Sequence, residues 1–212
     1  MKTILYTPEQ AVENEIDKIS QLLEAGADYL YIRKPELDDF SLVDYVETIP
    51  ERYWKQCIST SLIITKEFNL GGYHFTRDII QRNASYNDKV LDWLHENDKI
   101  SSVSAHSTEE LTDYAGKFRH VIVSPLFRSI SKENHRHDWD YKRLQLLLKD
   151  YHASLALTAY FAVGGIDLSN TGMVKNLNFD GIGLLGALWK EPDNALSNFN
   201  KILHFIQNDK KE

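Results

Sequence analysis

Short apolar runs alternate with longer amphipathic ones along the whole chain. Thr3 to Tyr6 reads as a strand, and Pro8 to Ala25 as a helix with Ala11, Ile16, Ile19, Leu22 and Leu23 on one side. Gly26 closes that helix. Asp28 to Arg33 is a second strand, ended by Lys34-Pro35. A second helix is expected within Asp38 to Cys57, interrupted at Ile49-Pro50. Leu62-Ile63-Ile64 predicts a short third strand and Gly72 to Phe75 a fourth, with only a brief link between them. Val90 to Glu96 belongs to the fourth crossover. Ile100 to Ser104 makes a fifth strand. Its helix spans Thr108 to Lys117, with Ser107 placed to cap and Glu110 three residues later. Val121 to Val123 is the sixth strand, followed by a leucine-rich helix from Trp139 to Tyr151. Leu157 to Val163 ends in Gly164-Gly165, and Gly181 to Leu185 precedes a last helix from about Asn194 to Ile206.

Eight strand candidates alternating with helices predict a (β/α)₈ TIM barrel of the α/β class, with an open doubly wound sheet as the alternative. Val121, Val123, Ile182 and Leu184 are expected to be buried strand residues, since each lies in a short apolar run bounded by glycine, proline or polar residues. No linker or low-complexity stretch divides residues 1–212, so one domain is expected, and 212 residues suit a single barrel. Against 24 Lys and Arg stand 31 Asp and Glu, a net charge of −7 that argues against a general nucleic-acid or anionic-membrane surface. The single cysteine, Cys57, excludes an internal disulfide and a cysteine-based zinc cluster, and packing near a helix end suits it better than attack on a substrate. Lys2-Thr3-Ile4-Leu5-Tyr6 is too short an apolar run for a secretory leader, and no stretch approaches the ~20 apolar residues of a membrane span. A cytoplasmic protein is expected.

Candidate chemistry gathers after the sixth strand. The run Val121-Ile122-Val123-Ser124-Pro125 gives way to a loop carrying Arg128, Ser129, Ser131 and Lys132, two hydroxyls and two cations within five residues. Phosphate or pyrophosphate suits such a set, because hydroxyls donate hydrogen bonds while Lys and Arg supply charge. The same loop taken alone is equally a solvated surface segment, and His135-Arg136-His137 is either a lid over an anion or more of that surface. Gly164-Gly165 and Leu185-Gly186 follow the seventh and eighth strands, where barrels commonly place a phosphate site, and small residues there let backbone N–H groups approach an anion. Together the three loops predict an anion pocket at one face, where the ends bearing Ser104, Ser124, Gly164 and Leu185 converge. His74 and His106 also sit at strand ends, His74 as a structural barrel residue and His106 open to either role.

The segments Ser104-Ala105-His106-Ser107, Ser124-Pro125-Leu126-Phe127, Ser129-Ile130-Ser131-Lys132, Ala162-Val163-Gly164-Gly165-Ile166 and Asp180-Gly181-Ile182 resemble the superfamily of thiamine phosphate synthase and thiazole tautomerase. The resemblance takes in most of the chain, including Leu5-Tyr6-Thr7 and Gly72-Tyr73-His74-Phe75. It implies a (β/α)₈ barrel and small phosphorylated substrates: the synthase joins an aminopyrimidine methyl diphosphate to a thiazole phosphate, releasing pyrophosphate with Mg²⁺ assistance. It also implies pyrophosphate or thiazole phosphate contacts at Ser104, Ser129, Ser131, Lys132 and Gly165. The family's closing Val-Ser pair appears as Leu185-Gly186, which keeps the backbone amides without the hydroxyl.

Departures from the pattern fall on the metal. The synthase has Gln-Leu-Arg-Glu-Lys after strand two, where this chain has Tyr31-Ile32-Arg33-Lys34-Pro35; only Arg33 matches, and Lys34 is displaced by one position. An Asn-Asp pair after strand three, whose Asp binds magnesium, is aligned with Thr65-Lys66, and the acid after strand four has only the shifted candidate Asp78. The tautomerase's catalytic His falls at Pro125. The expected function is therefore synthase-type transfer in thiamine biosynthesis, with Arg33, Lys132 and Ser104 stabilising the pyrophosphate leaving group and Lys66 near the anion. Asp78 is the expected residual Mg²⁺ ligand. Two alternatives stand beside it: a barrel that binds a phosphorylated thiamine precursor or product without catalysis, and a tautomerase using another base such as His106. Whether the chain forms a homo-oligomer is left open by the sequence.

Overall fold

The computed structural model describes residues 1–82, 84–127, 139–155 and 157–208. The chain begins with β1 (Lys2–Tyr6), α1 (Glu15–Glu24), β2 (Tyr29–Ile32) and α2 (Asp39–Thr48). A 3₁₀ segment, Glu51–Gln56, then leads into β3 (Cys57–Ser59), α3 (Leu62–Glu67) and β4 (Gly72–Phe75). Next come α4 (Arg77–Arg82), α5 (Ala84–Glu96), β5 (Ile100–Ala105), α6 (Thr108–Tyr114) and β6 (His120–Val123). The last part carries α7 (Tyr141–Ser154), β7 (Ala159–Val163), α8 (Thr171–Asn176), β8 (Gly181–Leu184), α9 (Gly186–Trp189) and α10 (Ala195–Asn208).

All eight strands are parallel, and each pairs with its sequence neighbour. Closure comes from β8 returning to β1, with Thr3 opposite Ile182 and Leu5 opposite Leu184, so the sheet is a (β/α)₈ barrel and not an open one. Parallel strands covered on both faces have to be apolar on both. Leu5, Leu30, Cys57, Val103, Val121, Val123, Ile182 and Leu184 turn outward into the layer between strands and helices. Ile4, Tyr31, Ile58, Ile122 and Phe161 fill the interior. Gly183 makes that interior possible, because a Cβ there would stand 2.5 Å from Val163 Cγ2 and 2.9 Å from Tyr6 Cε2. Burying side chains of this size contributes roughly 1.5–3 kcal/mol each, which is why the barrel is a packed core with no pore.

Several boundaries differ from the sequence expectation. The third strand is Cys57–Ser59, and Leu62-Ile63-Ile64 instead opens α3. Ser61 caps that helix by accepting a hydrogen bond from the Ile64 N–H at 3.4 Å. Ile63 is 63% exposed while Ile64 is buried, a helical pattern that a three-residue apolar run conceals. The first helix begins at Glu15 and not at Pro8, since Asn14 takes a left-handed conformation at φ 55°. Leu157 is 84% exposed and lies outside β7. The break at Ile49-Pro50 falls where expected, as does the Ser107 cap, whose hydroxyl accepts from the Glu110 N–H at 3.2 Å. Among the described residues no helix is long and apolar enough to cross a membrane.

Candidate active site

Alternation along a strand sends every second side chain inward. On β2 this sets Tyr29 and Tyr31 inside, on β4 His74, on β5 Ser102 and Ser104, and on β6 His120 and Ile122. The polar members find one another. Tyr31 Oη donates to Ser102 Oγ at 2.8 Å and lies 3.0 Å from His120 Nδ1. Ser102 Oγ is also 2.9 Å from His74 Nδ1, and His74 Nε2 is 3.3 Å from Ser104 Oγ. A chain of hydrogen bonds therefore runs from His120, through the barrel interior, to Ser104 near the C-terminal strand ends. Burial first, then the positive charge of Arg33 and His106, pushes the His74 imidazole down to about 4. Burial, followed by Lys2, Arg119 and His74, pushes His120 down to about 3. The Tyr31 phenol is raised well above its ordinary value, again chiefly by burial. All three groups are neutral at pH 7.

Above this interior stand the loops at the C-terminal face, the side where barrel enzymes carry their chemistry. Arg33 leaves β2 with its backbone N–H donating to Thr7 Oγ1 at 2.8 Å, and Thr7 Oγ1 donates back to the Arg33 carbonyl at 3.0 Å. The guanidinium, about half exposed, pairs with Glu9 at 2.8 Å. Lys34 has no such freedom: it is 7% exposed, pairs with Glu15 at 2.8 Å and donates to the Pro8 carbonyl at 2.7 Å. His106 follows β5, its backbone N–H donating to Glu110 Oε2 at 2.7 Å and its Nδ1 2.5 Å from the Ser124 carbonyl. Gly164 and Gly165 both adopt positive φ, 99° and 64°, and a Cβ on Gly164 would strike Pro125 Cβ at 2.7 Å. The Leu126 N–H donates to the Val163 carbonyl at 2.8 Å, which ties the residues directly after β6 to the end of β7. Gly186 opens α9, and a Cβ there would meet nothing within 4 Å. Ser104, Ser124, Gly164 and Leu185 thus stand at the C-terminal ends of consecutive strands.

Not every predicted site residue lies there. Lys66 is on the last turn of α3, with Nζ 4.6 Å from the centre of the Trp93 ring at the far end of α5. Lys99, which immediately precedes β5, sits 6.0 Å from the same ring, so Lys66 belongs to the opposite, N-terminal side of the barrel. Its expected position near an anion is corrected by the shift in β3: the residues that follow this strand are Thr60 and Ser61. Asp78 is 76% exposed and pairs with Arg82 at 3.7 Å. Among the described residues no three His, Cys, Asp or Glu side chains are grouped to hold a metal. Neutral hydroxyls after β3 and a solvent-facing carboxylate beside an arginine do not make the hard oxygen donor set that Mg²⁺ requires. Ser129, Ser131 and Lys132, with Arg128 and His135-Arg136-His137, lie outside the described residues. Cys57 is fully buried, its thiol donates to the Tyr53 carbonyl at 3.3 Å, and burial pushes it up to about 12, so it is no nucleophile.

A closed parallel (β/α)₈ barrel, with glycines following its seventh and eighth strands, defines the fold class. Residues 3–188 match the family described as thiamine monophosphate synthase, and the chain belongs to that family. Similar solved structures include thiamine phosphate pyrophosphorylase from Bacteroides thetaiotaomicron, 22% identical with a TM-score of 0.72 over 100% of both chains. The thiamine phosphate pyrophosphorylase from Pyrococcus furiosus is 15% identical, with a TM-score of 0.75 over 97% of this chain and 95% of the other. A 3-hexulose-6-phosphate synthase shares the fold at 10% identity and a TM-score of 0.68, over 95% and 98% of the two chains. No curated protein matches.

Proposed function

We propose that the protein is a thiamine phosphate synthase, coupling an aminopyrimidine methyl diphosphate to a thiazole phosphate with release of pyrophosphate. The observation that carries this reading is the family match across residues 3–188, on a closed barrel whose Ser104, Gly164, Gly165, Leu185 and Gly186 stand at the C-terminal strand ends. In the reaction the methylene C–O bond breaks, its electron pair leaves with pyrophosphate, and the thiazole nitrogen supplies the pair for the new C–N bond. No side chain has to act as a nucleophile. What the site supplies is stabilisation of the charge that develops on the leaving oxygen, by preorganised donors and cations. Arg33 takes this role by exchanging Glu9 for the diphosphate, and Ser104 offers a hydroxyl. Lys132, Ser129 and Ser131 are assigned to the same anion by their motif. Among the described residues the donor set does not suit Mg²⁺.

One observation favours the second reading, a barrel that binds a phosphorylated thiamine precursor or product without coupling: Thr60 and Ser61, neither of them acidic, directly follow β3, and the Asp78 carboxylate faces solvent beside Arg82. Incubating the protein with both phosphorylated substrates separates the two. Synthase function predicts stoichiometric thiamine phosphate and pyrophosphate, lowered about 10-fold or more in kcat/KM by Arg33→Ala, since a charge-assisted contact is worth roughly 1.5–3 kcal/mol. Saturable binding of thiamine phosphate with no product formed would instead establish the binding barrel.

A further inference from the structure

The geometry points to Tyr31, Ser102 and His120 as positioning residues that hold His74 in its Nε2–H tautomer, leaving the hydroxyl proton of Ser104 free to donate to a bound anion. This rests on the anion-binding role given to Ser104 in the proposed function. The direction of the chain follows from proton counting. Tyr31, Ser102 and Ser104 each own one hydroxyl proton, and each neutral imidazole carries one N–H. Tyr31 donates its one hydroxyl proton to Ser102 Oγ at 2.8 Å, so it can meet His120 Nδ1 at 3.0 Å only as an acceptor. The phenol therefore donates to Ser102 and accepts from the His120 Nδ1–H. Among the described residues Ser102 Oγ contacts only Tyr31 Oη and His74 Nδ1, so with the first donating to it, its own proton has His74 Nδ1 at 2.9 Å as its acceptor. Neutral His74 must then carry its hydrogen on Nε2, which faces Ser104 Oγ at 3.3 Å. Ser104 accepts there, and its own proton is left for a ligand.

Run backwards, the chain would have Ser104 donate into His74, and an anion at the mouth would meet an oxygen lone pair. Tautomer control therefore decides whether Ser104 attracts or repels pyrophosphate. Packing fixes the distal end: the His120 ring lies edge-on to Tyr29 at 4.8 Å and tilted against Phe161 at 4.7 Å between centroids. His120 cannot turn to present its other nitrogen without displacing those rings.

The test uses the full chain with ¹⁵N-labelled histidine, together with pyrophosphate titration by calorimetry. At pH 7 the wild type should show His74 protonated at Nε2 and bare at Nδ1, and His120 the reverse. Tyr31→Phe and Ser102→Ala should convert His74 into a tautomer mixture and weaken pyrophosphate about 3- to 10-fold, the worth of one neutral hydrogen bond. Ser102→Thr, which keeps the hydroxyl, should restore both. Tyr29→Phe is the control, since it removes a phenol from the same interior without cutting the chain, and it should change neither reading. A His74 already protonated at Nδ1 in the wild type would overturn the assignment, as would a Tyr31→Phe variant that leaves the tautomer untouched. A wild type with the stated tautomers that ignores pyrophosphate supports the relay and counts against the coupling reaction alone.

Discussion

His74 and His120 are neutral because the barrel interior disfavours their charged forms, and this has a measurable consequence. Both have folded-state values below the ordinary 6.5, so the unfolded chain binds more protons between about pH 6.5 and pH 3. Stability from these two residues is therefore complete above pH 6.5 and lost as pH falls. From pH 7 to pH 4 the loss should amount to roughly 3–6 kcal/mol, at about 1.4 kcal/mol per unit of displaced titration for each group. Urea midpoints measured across that range check it. His120→Asn should lower stability at pH 7 yet flatten the dependence on pH, whereas an unchanged slope would mean that other groups drive acid unfolding. Of the interior polar residues, His74 stood out in the sequence as a structural residue and Ser104 as an anion contact. Tyr31, Ser102 and His120 escaped notice because each reads alone as an ordinary member of an apolar strand. The available signal was polar residues two apart on β5, Ser102 and Ser104, in a strand that should be apolar on both faces.

At the scale of elements, the loop from Pro8 to Asn14 and the start of α1 are tied to β2 and α2 through one carboxylate. Glu15 pairs with Lys34 at 2.8 Å and accepts from Tyr45 Oη at 2.5 Å, and both members of the ion pair are under 10% exposed. Besides Glu15, the Lys34 ammonium meets the Pro8 carbonyl at 2.7 Å and the face of the Tyr45 ring, 5.0 Å from its centre. Removing the acid strands a buried cation, which costs about 3–5 kcal/mol where a partner is deleted outright. Glu15→Gln keeps an acceptor and should destabilise by about 2–3 kcal/mol, while Glu15→Ala should approach the full figure, both read as shifts in the urea midpoint with unchanged slope. Equal, near-zero shifts would show that Lys34 reaches water. Such ties are hard to foresee in sequence, since Lys34 looks like the family's lysine moved by one place and Glu15 like one more surface acid. Most elements were legible because periodicity, Gly26, Pro50 and the Ser107 cap speak locally. The third strand was not, since Cys57-Ile58-Ser59 has three residues and no alternation to display.

For the whole molecule, the displaced third strand decides which residues face the C-terminal mouth of the barrel. Barrel enzymes separate a catalytic C-terminal face from a stabilising N-terminal one, and Lys66 lies on the second, against Trp93. Counting from the true end of β3, inward alternation from Ile58 selects Thr60 as the residue that faces the mouth. Two substitutions to the same acid should therefore behave differently. Thr60→Asp introduces a carboxylate at the strand end, next to the proposed pyrophosphate position, and should create or tighten Mg²⁺ binding in the presence of pyrophosphate. Lys66→Asp puts the same group on the wrong face, so it should leave Mg²⁺ affinity as it is and cost only the contact with Trp93, about 0.5–1 kcal/mol. Titration calorimetry with MgCl₂ and pyrophosphate reads both variants directly, with thermal unfolding as the stability measure. A gain of Mg²⁺ affinity from Lys66→Asp and none from Thr60→Asp would return the metal site to α3 and undo this account of the mouth.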